Sequence, residues 1–147
     1  MDQVMMLREE SRRLNRNFGR IRSTDCCCGI TDAQCFALVE IGRRGGISVK
    51  ELAERVNLDK SGISRTVEEL VQKELVERKT SEQDRRYVEL TLTDKGRERF
   101  QMIETGMNRK YQCILEQIPE TRRDAVIEAL RLYNEACETG VKKETGE

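Results

Sequence analysis

Six cysteines and no histidine set the chemistry open to this sequence. Three of the cysteines, Cys26, Cys27 and Cys28, are consecutive, Cys35 follows shortly after, and Cys113 and Cys137 lie far downstream. Without histidine, Ser-His-Asp and Cys-His catalysis, histidine-bearing zinc sites and imidazole pH switches are excluded. A metal site has to be built from thiolates and carboxylates. Adjacent cysteines hold their Cα atoms about 3.8 Å apart, below the usual disulfide window of about 4.4–6.8 Å, so thiolate coordination is the easier use of the triplet. Three or four sulfurs suit a soft ion such as Zn(II), Cu(I) or Cd(II), or a trivalent arsenical. Cys26, Cys27, Cys28, Cys35 and Cys113 are therefore the sensor or metal candidates, and a thiolate-bound metal or metalloid ion is the candidate cofactor. The competing use is plain packing, strongest for Cys35, Cys113 and Cys137, which fall on apolar helix faces. A thiol transferase would need a partner thiol, and Cys26 and Cys28 are separated by a single residue rather than the two of Cys-x-x-Cys. No enzymatic activity is expected.

A second group of residues has the chemistry of nucleic-acid contact. Lys60, Ser61, Gly62, Ser64, Arg65 and Thr66 place short polar and basic side chains on the first turns of an expected helix. Such side chains approach base edges and phosphates without steric conflict. Arg65 suits a base, guanine foremost, and Ser61 and Ser64 suit phosphate oxygens. Further on, Arg78, Lys79, Arg85 and Arg86 face only Glu82 and Asp84, a local basic excess that a narrow minor groove attracts. The whole chain conceals it, because 27 Lys and Arg balance 27 Asp and Glu. A basic hairpin edge or a serine-rich helix start is commonplace alone; together they are informative.

These residues need elements to position them. Val4, Leu7, Leu14, Phe18 and Ile21 recur at helical spacing over residues 2–22. The cysteine triplet then falls in a loop. Thr31 with Gln34 forms a capping box for a second helix, with Ile30 as the outer half of a hydrophobic staple and Cys35, Leu38 and Val39 as its buried stripe. That helix ends between Gly42 and Gly46. Ser48 with Glu51 starts a short helix carrying Leu52, Ala53 and Val56, and Asp59 caps another carrying Ile63, Val67, Leu70 and Val71, a helix-turn-helix pattern. From Leu75 the period becomes two: Leu75–Lys79 pairs with a strand over Arg86–Thr93 whose inward side chains are Val88, Leu90 and Leu92. Thr93 or Asp94 then opens a long helix that Pro119 interrupts, and a last helix ends near Gly140, leaving 141–147 as a polar tail.

The stretch IGRRGGISVKELAERVNLDKSGISRTVEELVQKELVERKTSEQDRRYVELTLTDKG resembles the multiple-antibiotic-resistance regulator family, MarR. The most specific residues are Asp84, Arg85 and Arg86, followed by Leu92, Thr93 and Gly96, which are similar to the wing signature of that family. The resemblance implies a mainly α fold with a small β-hairpin wing: a winged helix-turn-helix over 30–93, flanked by dimerisation helices at 1–22 and 94–140, within one domain of 1–147. It implies a homodimeric repressor on a pseudo-palindromic DNA operator, with the helix from Lys60 in the major groove, Arg86 at the wing tip and Asp84 bracing it. Two-fold symmetry would separate the recognition helices by roughly 34–36 Å. Relatives answer to phenolic compounds, to oxidants or to metals, so a small inducer or a thiophilic ion is the implied effector, with an apolar-ligand pocket competing with the thiols. A helical adaptor that binds protein is the alternative from another class.

A length of 147 residues fits one domain, and a chain this size buries roughly 68–70% of its unfolded surface. No apolar run approaches a membrane span, and the start MDQVMMLREESRR lacks the apolar stretch of a signal peptide, so a cytoplasmic protein with reduced thiols and no membrane partner is expected.

Overall fold

The computed structural model describes residues 2–23, 29–56 and 58–146, without the side chains of Ser23 and Lys60. Helices α1 (Gln3–Ser23), α2 (Asp32–Arg44), α3 (Val49–Val56) and α4 (Lys60–Gln72) precede the hairpin of β1 (Val76–Thr80) and β2 (Val88–Leu92). Then follow α5 (Asp94–Glu116), a 3-10 turn (Glu120–Arg122) and α6 (Arg123–Thr145). The chain divides into two compact units, Met1–Met107 and Asn108–Glu147.

In the first unit the core is aliphatic. Ala37, Leu38 and Ile41 of α2, Leu52 of α3, Ile63, Val67 and Leu70 of α4, and Val76, Leu90 and Leu92 of the hairpin pack into one buried cluster with Ile103 of α5. Each helix begins where the sequence supplies an acceptor for its orphan amides. Thr31 Oγ1 accepts from the Gln34 N–H at 3.2 Å, and Gln34 Oε1 accepts from the Thr31 N–H at 3.3 Å. Ser48 Oγ accepts from the Glu51 N–H at 3.1 Å, and Asp59 Oδ1 from the Gly62 N–H at 2.7 Å. The second helix stops at Gly45, whose φ of 67° is the left-handed conformation a C-terminal cap favours.

The buried stripe of α2 differs from the expected one. Gln34, Ala37, Leu38 and Ile41 are buried, while Cys35 and Val39 lie at the edge of the core, half-buried. A polar residue at the start of the stripe hid its true phase from the hydropathy pattern.

The hairpin is antiparallel, with Val76 opposite Leu92 and Thr80 opposite Val88. It begins and ends differently from the expected one: β1 is shifted by one residue, and β2 starts at Val88, so Arg86 and Tyr87 belong to the turn. Val88 is also 47% exposed rather than inward, because β2 starts beyond the aliphatic cluster and, of its three expected inward residues, Leu90 and Leu92 alone have core beneath them. One pairing had no periodic signal at all: Ile47 exchanges both backbone bonds with Leu90, N to O distances 3.2 and 2.7 Å. This isolated bridge ties the approach to α3 onto the wing.

The Leu92-Thr93-x-x-Gly96 pattern has a physical cause. Thr93 Oγ1 donates to the Glu74 carbonyl at 2.6 Å and accepts from the Gly96 N–H at 2.9 Å, while the Thr93 N–H donates to the Leu75 carbonyl at 3.1 Å. A Cβ on Gly96 would sit 1.9 Å from that same Leu75 oxygen. The start of α5 therefore rests on the backbone entering β1, and only glycine leaves the space.

In the second unit, Pro119 opens the 3-10 turn, and Arg123 Nε donates to the Ile118 carbonyl at 3.1 Å across it. The last helix runs beyond Gly140 to Thr145 and is capped by Gly146 at φ 75°, so residues 141–145 are helical, not tail. Its apolar residues Val126, Ile127, Leu130 and Leu132 are exposed, as are Val4, Met5, Met6 and Leu7 on α1.

Candidate nucleic-acid interface

Two helices joined by a short turn, with the hairpin directly after, bring most of the basic and hydroxyl residues singled out above to one region of the first unit. On α4 the core takes Ile63, Val67 and Leu70. That phase leaves Ser61, Ser64, Arg65 and Glu68 exposed at helical spacing i, i+3, i+4 and i+7, one outward stripe. Ser61 Oγ donates to Asp59 Oδ1 at 3.2 Å, so the capping carboxylate also orients the first hydroxyl of the stripe. Gly62 is where a side chain would crowd that cap: a Cβ there would stand 2.8 Å from Asp59 Oδ1. Lys60 is the first residue of α4, and its side chain lies outside the described set.

Thr66 does not join the stripe. It is 6% exposed, and its hydroxyl donates back to the Gly62 carbonyl at 3.0 Å, which places it among the core residues of α4. Its polar type suggested a surface contact; its phase puts it on the inner side.

The wing carries its charge in two different states. Arg78 Nη2 lies 2.9 Å from Glu68 Oε2, so the β1 arginine reaches across to α4 and offsets the acid at the end of the outward stripe. Lys79 lies 3.1 Å from Glu77 of the same strand. At the tip, Arg86 Nε and Nη2 grip Asp84 Oδ1 and Oδ2 at 3.1 and 2.9 Å, and the Arg86 backbone N–H also donates to Oδ1 at 3.1 Å. These contacts hold the Asp84 carboxyl below its usual range, the side-chain bond to Arg86 being the larger cause and the backbone bond the next. The same side-chain bond raises the Arg86 guanidinium above its own. Arg86 nevertheless presents most of its side chain to solvent, 83%. Its guanidinium is held at one edge and open at the other. Arg85 is exposed beside it.

Residues absent from the sequence expectations build the base of this tip. Ser81 is buried; its N–H donates to the Tyr87 carbonyl at 2.9 Å, its hydroxyl donates to Glu89 Oε1 at 3.2 Å, and the Tyr87 N–H donates to the Asp84 carbonyl at 3.1 Å. The turn is thus pinned from inside, which fixes where Asp84 and Arg86 stand. The signal for Ser81 was the polar loop itself, in which a serine is an ordinary turn residue.

Cys35 is half-buried against the core of the first unit, and Cys113 and Cys137 are exposed on helices of the second. Cys26, Cys27 and Cys28 lie outside the described residues. Among the described residues there is no group of three or more Cys, Asp or Glu placed to hold a metal ion, and no helix is long and apolar enough to cross a membrane.

A family model described as the MarR family matches residues 29–86. The HTH-type transcriptional repressor MdtR of Bacillus subtilis is 36% identical over 78 residues, 53% of this chain and 50% of that protein. The HTH-type transcriptional regulator BilQ of Clostridium symbiosum is 30% identical over 103 residues, 70% of this chain and 72% of that protein. The chain belongs to the MarR family of transcriptional regulators. The match to MdtR spans half of that relative's length, and the match to BilQ spans most of the chain. Among solved structures, Streptococcus pneumoniae FabT in complex with DNA superposes with a TM-score of 0.79 at 18% identity, covering 90% of this chain and 98% of that one. The PcaV regulator of Streptomyces coelicolor, in complex with its natural ligand, gives a TM-score of 0.73 at 23% identity, covering 93% and 97%. These likenesses show the MarR winged-helix fold: α3 and α4 are its helix-turn-helix and β1–β2 its wing.

Proposed function

We propose that this MarR-family regulator is a homodimeric repressor that sets α4 in the major groove of a pseudo-palindromic operator and its wing arginines in the flanking minor groove. The observation that carries this is the outward stripe of Ser61, Ser64 and Arg65 on α4 together with an Arg86 held in place by Asp84 on the wing. A preorganised arginine loses less conformational freedom on meeting DNA than a free one. Arg65 reads a base, Ser61 and Ser64 take phosphate oxygens, and Arg85 and Arg86 enter the minor groove. Arg78 and Lys79 act less directly, because each sits beside an acid whose charge it offsets. The exposed apolar residues of α1 and α6 are covered by the same helices of a second chain.

The effector reading follows from composition. In a chain without histidine, Cys26, Cys27 and Cys28 are the densest soft ligands, and their engagement by a thiophilic ion, an arsenical or an oxidant releases the operator. The competing effector is an apolar or phenolic molecule with the cysteines as packing residues. Selection from random duplexes gives the operator, and fluorescence anisotropy then measures its release. Release by arsenite, zinc or peroxide in wild type, and its loss in a Cys26/Cys27/Cys28→Ser variant, is the expected result. Normal release from the triple variant rejects the thiol reading, and an Arg65→Ala variant that binds as wild type rejects the placement of α4.

A further inference from the structure

Gln34 is only 3% exposed, in the first turn of α2, and its amide bridges three other places. Nε2 donates to Glu69 Oε2 at 2.6 Å, and Oε1 accepts from Lys73 Nζ at 2.8 Å as well as from the Thr31 N–H at 3.3 Å. Lys73 Nζ also donates to the Gly29 carbonyl at 2.6 Å. Glu69 lies on the far half of α4, whose near half carries Ser61, Ser64 and Arg65, and Lys73, one turn on, is its C-terminal cap. An amide between a carboxylate and an ammonium has one permitted orientation, since reversing it would set donors against the ammonium and an acceptor against the carboxylate. Aliphatic packing between α2 and α4 has no such direction. The polar bridge therefore fixes the rotation of α4 about its own axis relative to α2.

We propose that Gln34 is a positioning residue for the DNA-reading face, and that the Gln34–Glu69–Lys73 bridge couples the chain entering α2 to the rotation of α4. Displacement at Gly29 withdraws an acceptor from Lys73, displacement at Thr31 withdraws a donor from the Gln34 amide, and α4 loses part of its directional restraint. By linkage, DNA bound on α4 must in turn order the first turn of α2. The inference rests on the assignment of α4 to DNA made above, and it defines where an effector signal enters that helix.

The test is backbone hydrogen exchange at residues 30–36 of the full-length protein, with and without a duplex obtained by selection. Wild type should exchange at least about fivefold more slowly there when bound, the lower end of usual coupling between sites. Gln34→Leu should lose that slowing and bind the duplex about five- to tenfold more weakly. Gln34→Glu, which sets two carboxylates together, should behave in the same way. The exchanged pair Gln34→Glu/Glu69→Gln, with unchanged net charge, again faces an amide with a carboxylate and keeps an acceptor for Lys73 and the Thr31 N–H. It should restore both slowing and affinity, an outcome that a loss of general stability would not give. Equal slowing in wild type and Gln34→Leu overturns the proposal. Should Gln34→Leu fail to fold, a folded exchanged pair without DNA-dependent slowing overturns it equally. An Arg65→Ala/Ser64→Ala variant with wild-type affinity instead removes α4 from DNA, and both proposals fall with it.

Discussion

Arg86 illustrates how one neighbour prepares a side chain for use. Asp84 holds it through both carboxylate oxygens and a backbone N–H, and the carboxyl is held below its usual range for that reason. A folded-state value below the unfolded one, about 3.9 for an aspartate, means that the brace is fully charged above that unfolded value and is lost as pH falls through the depressed one. Operator affinity should consequently show no change assignable to this pair between pH 5 and 8. Asp84→Asn, which keeps shape but removes charge, should weaken binding several-fold at neutral pH with little change in melting temperature, since both groups are solvent-facing. Anisotropy titrations beside thermal melts check this. Arg65 gives a different signature: Arg65→Ala should cost about 1–3 kcal/mol and relax preference at one base pair, whereas Arg85→Ala should weaken all duplexes alike and lower the salt slope by about one. The exposure of Arg65 and Arg85 was legible from residue type and position. The burial of Thr66 and the reach of Gln34, beyond its capping role, to Glu69 and Lys73 were not, because a back-bonded hydroxyl and a buried amide look in sequence like surface residues; only the phase of their helices reveals them.

Helices were legible where a cap and a stripe coincide, as at Thr31–Gln34, Ser48–Glu51 and Asp59. Asp59→Ala should cost about 0.5–2 kcal/mol of stability; since the same carboxylate orients Ser61, operator affinity should fall with it. A denaturant titration and an anisotropy titration on one preparation separate the two effects. The wing was legible in kind but not in register. Turn residues Arg86 and Tyr87 continue the alternation of β2, and nothing in a two-residue period marks where a ladder stops pairing; the bridge between Ile47 and Leu90 has no period at all. Gly96 is the element-scale test of this region. With the Leu75 carbonyl 1.9 Å from any Cβ, Gly96→Ala must shift backbone rather than a flexible side chain. The expected loss is at or above the usual 1–3 kcal/mol of overpacking, read as a lower urea midpoint with unchanged helical content at zero denaturant.

For the whole molecule, a net charge of zero turned out to bear little on DNA binding, because opposite charges are sorted locally: Glu68 and Glu77 are offset by Arg78 and Lys79, while Arg65 and Arg85 stand exposed on α4 and the wing. The terminal helices pose the larger question. Val126, Ile127, Leu130 and Leu132 on α6 and Val4 to Leu7 on α1 are exposed, and clustered exposed apolar side chains mark association surfaces. If a second chain covers them, operator binding requires both chains: two linked recognition helices meet two half-sites with the second contact made at high effective concentration. A charge placed at the centre of α6 should then act on DNA binding from a distance. Leu130→Lys is expected to reduce the sedimenting species from a dimer to the 17.1 kDa chain at micromolar concentration. Operator affinity should fall by about a hundredfold, within the usual range of avidity effects. Binding to a single half-site duplex should be unchanged, since α4 and the wing are untouched. Wild type that sediments as a single chain while binding the full operator tightly would refute the dimer. A full-operator loss matched by an equal half-site loss would instead mean that the substitution disturbs the fold.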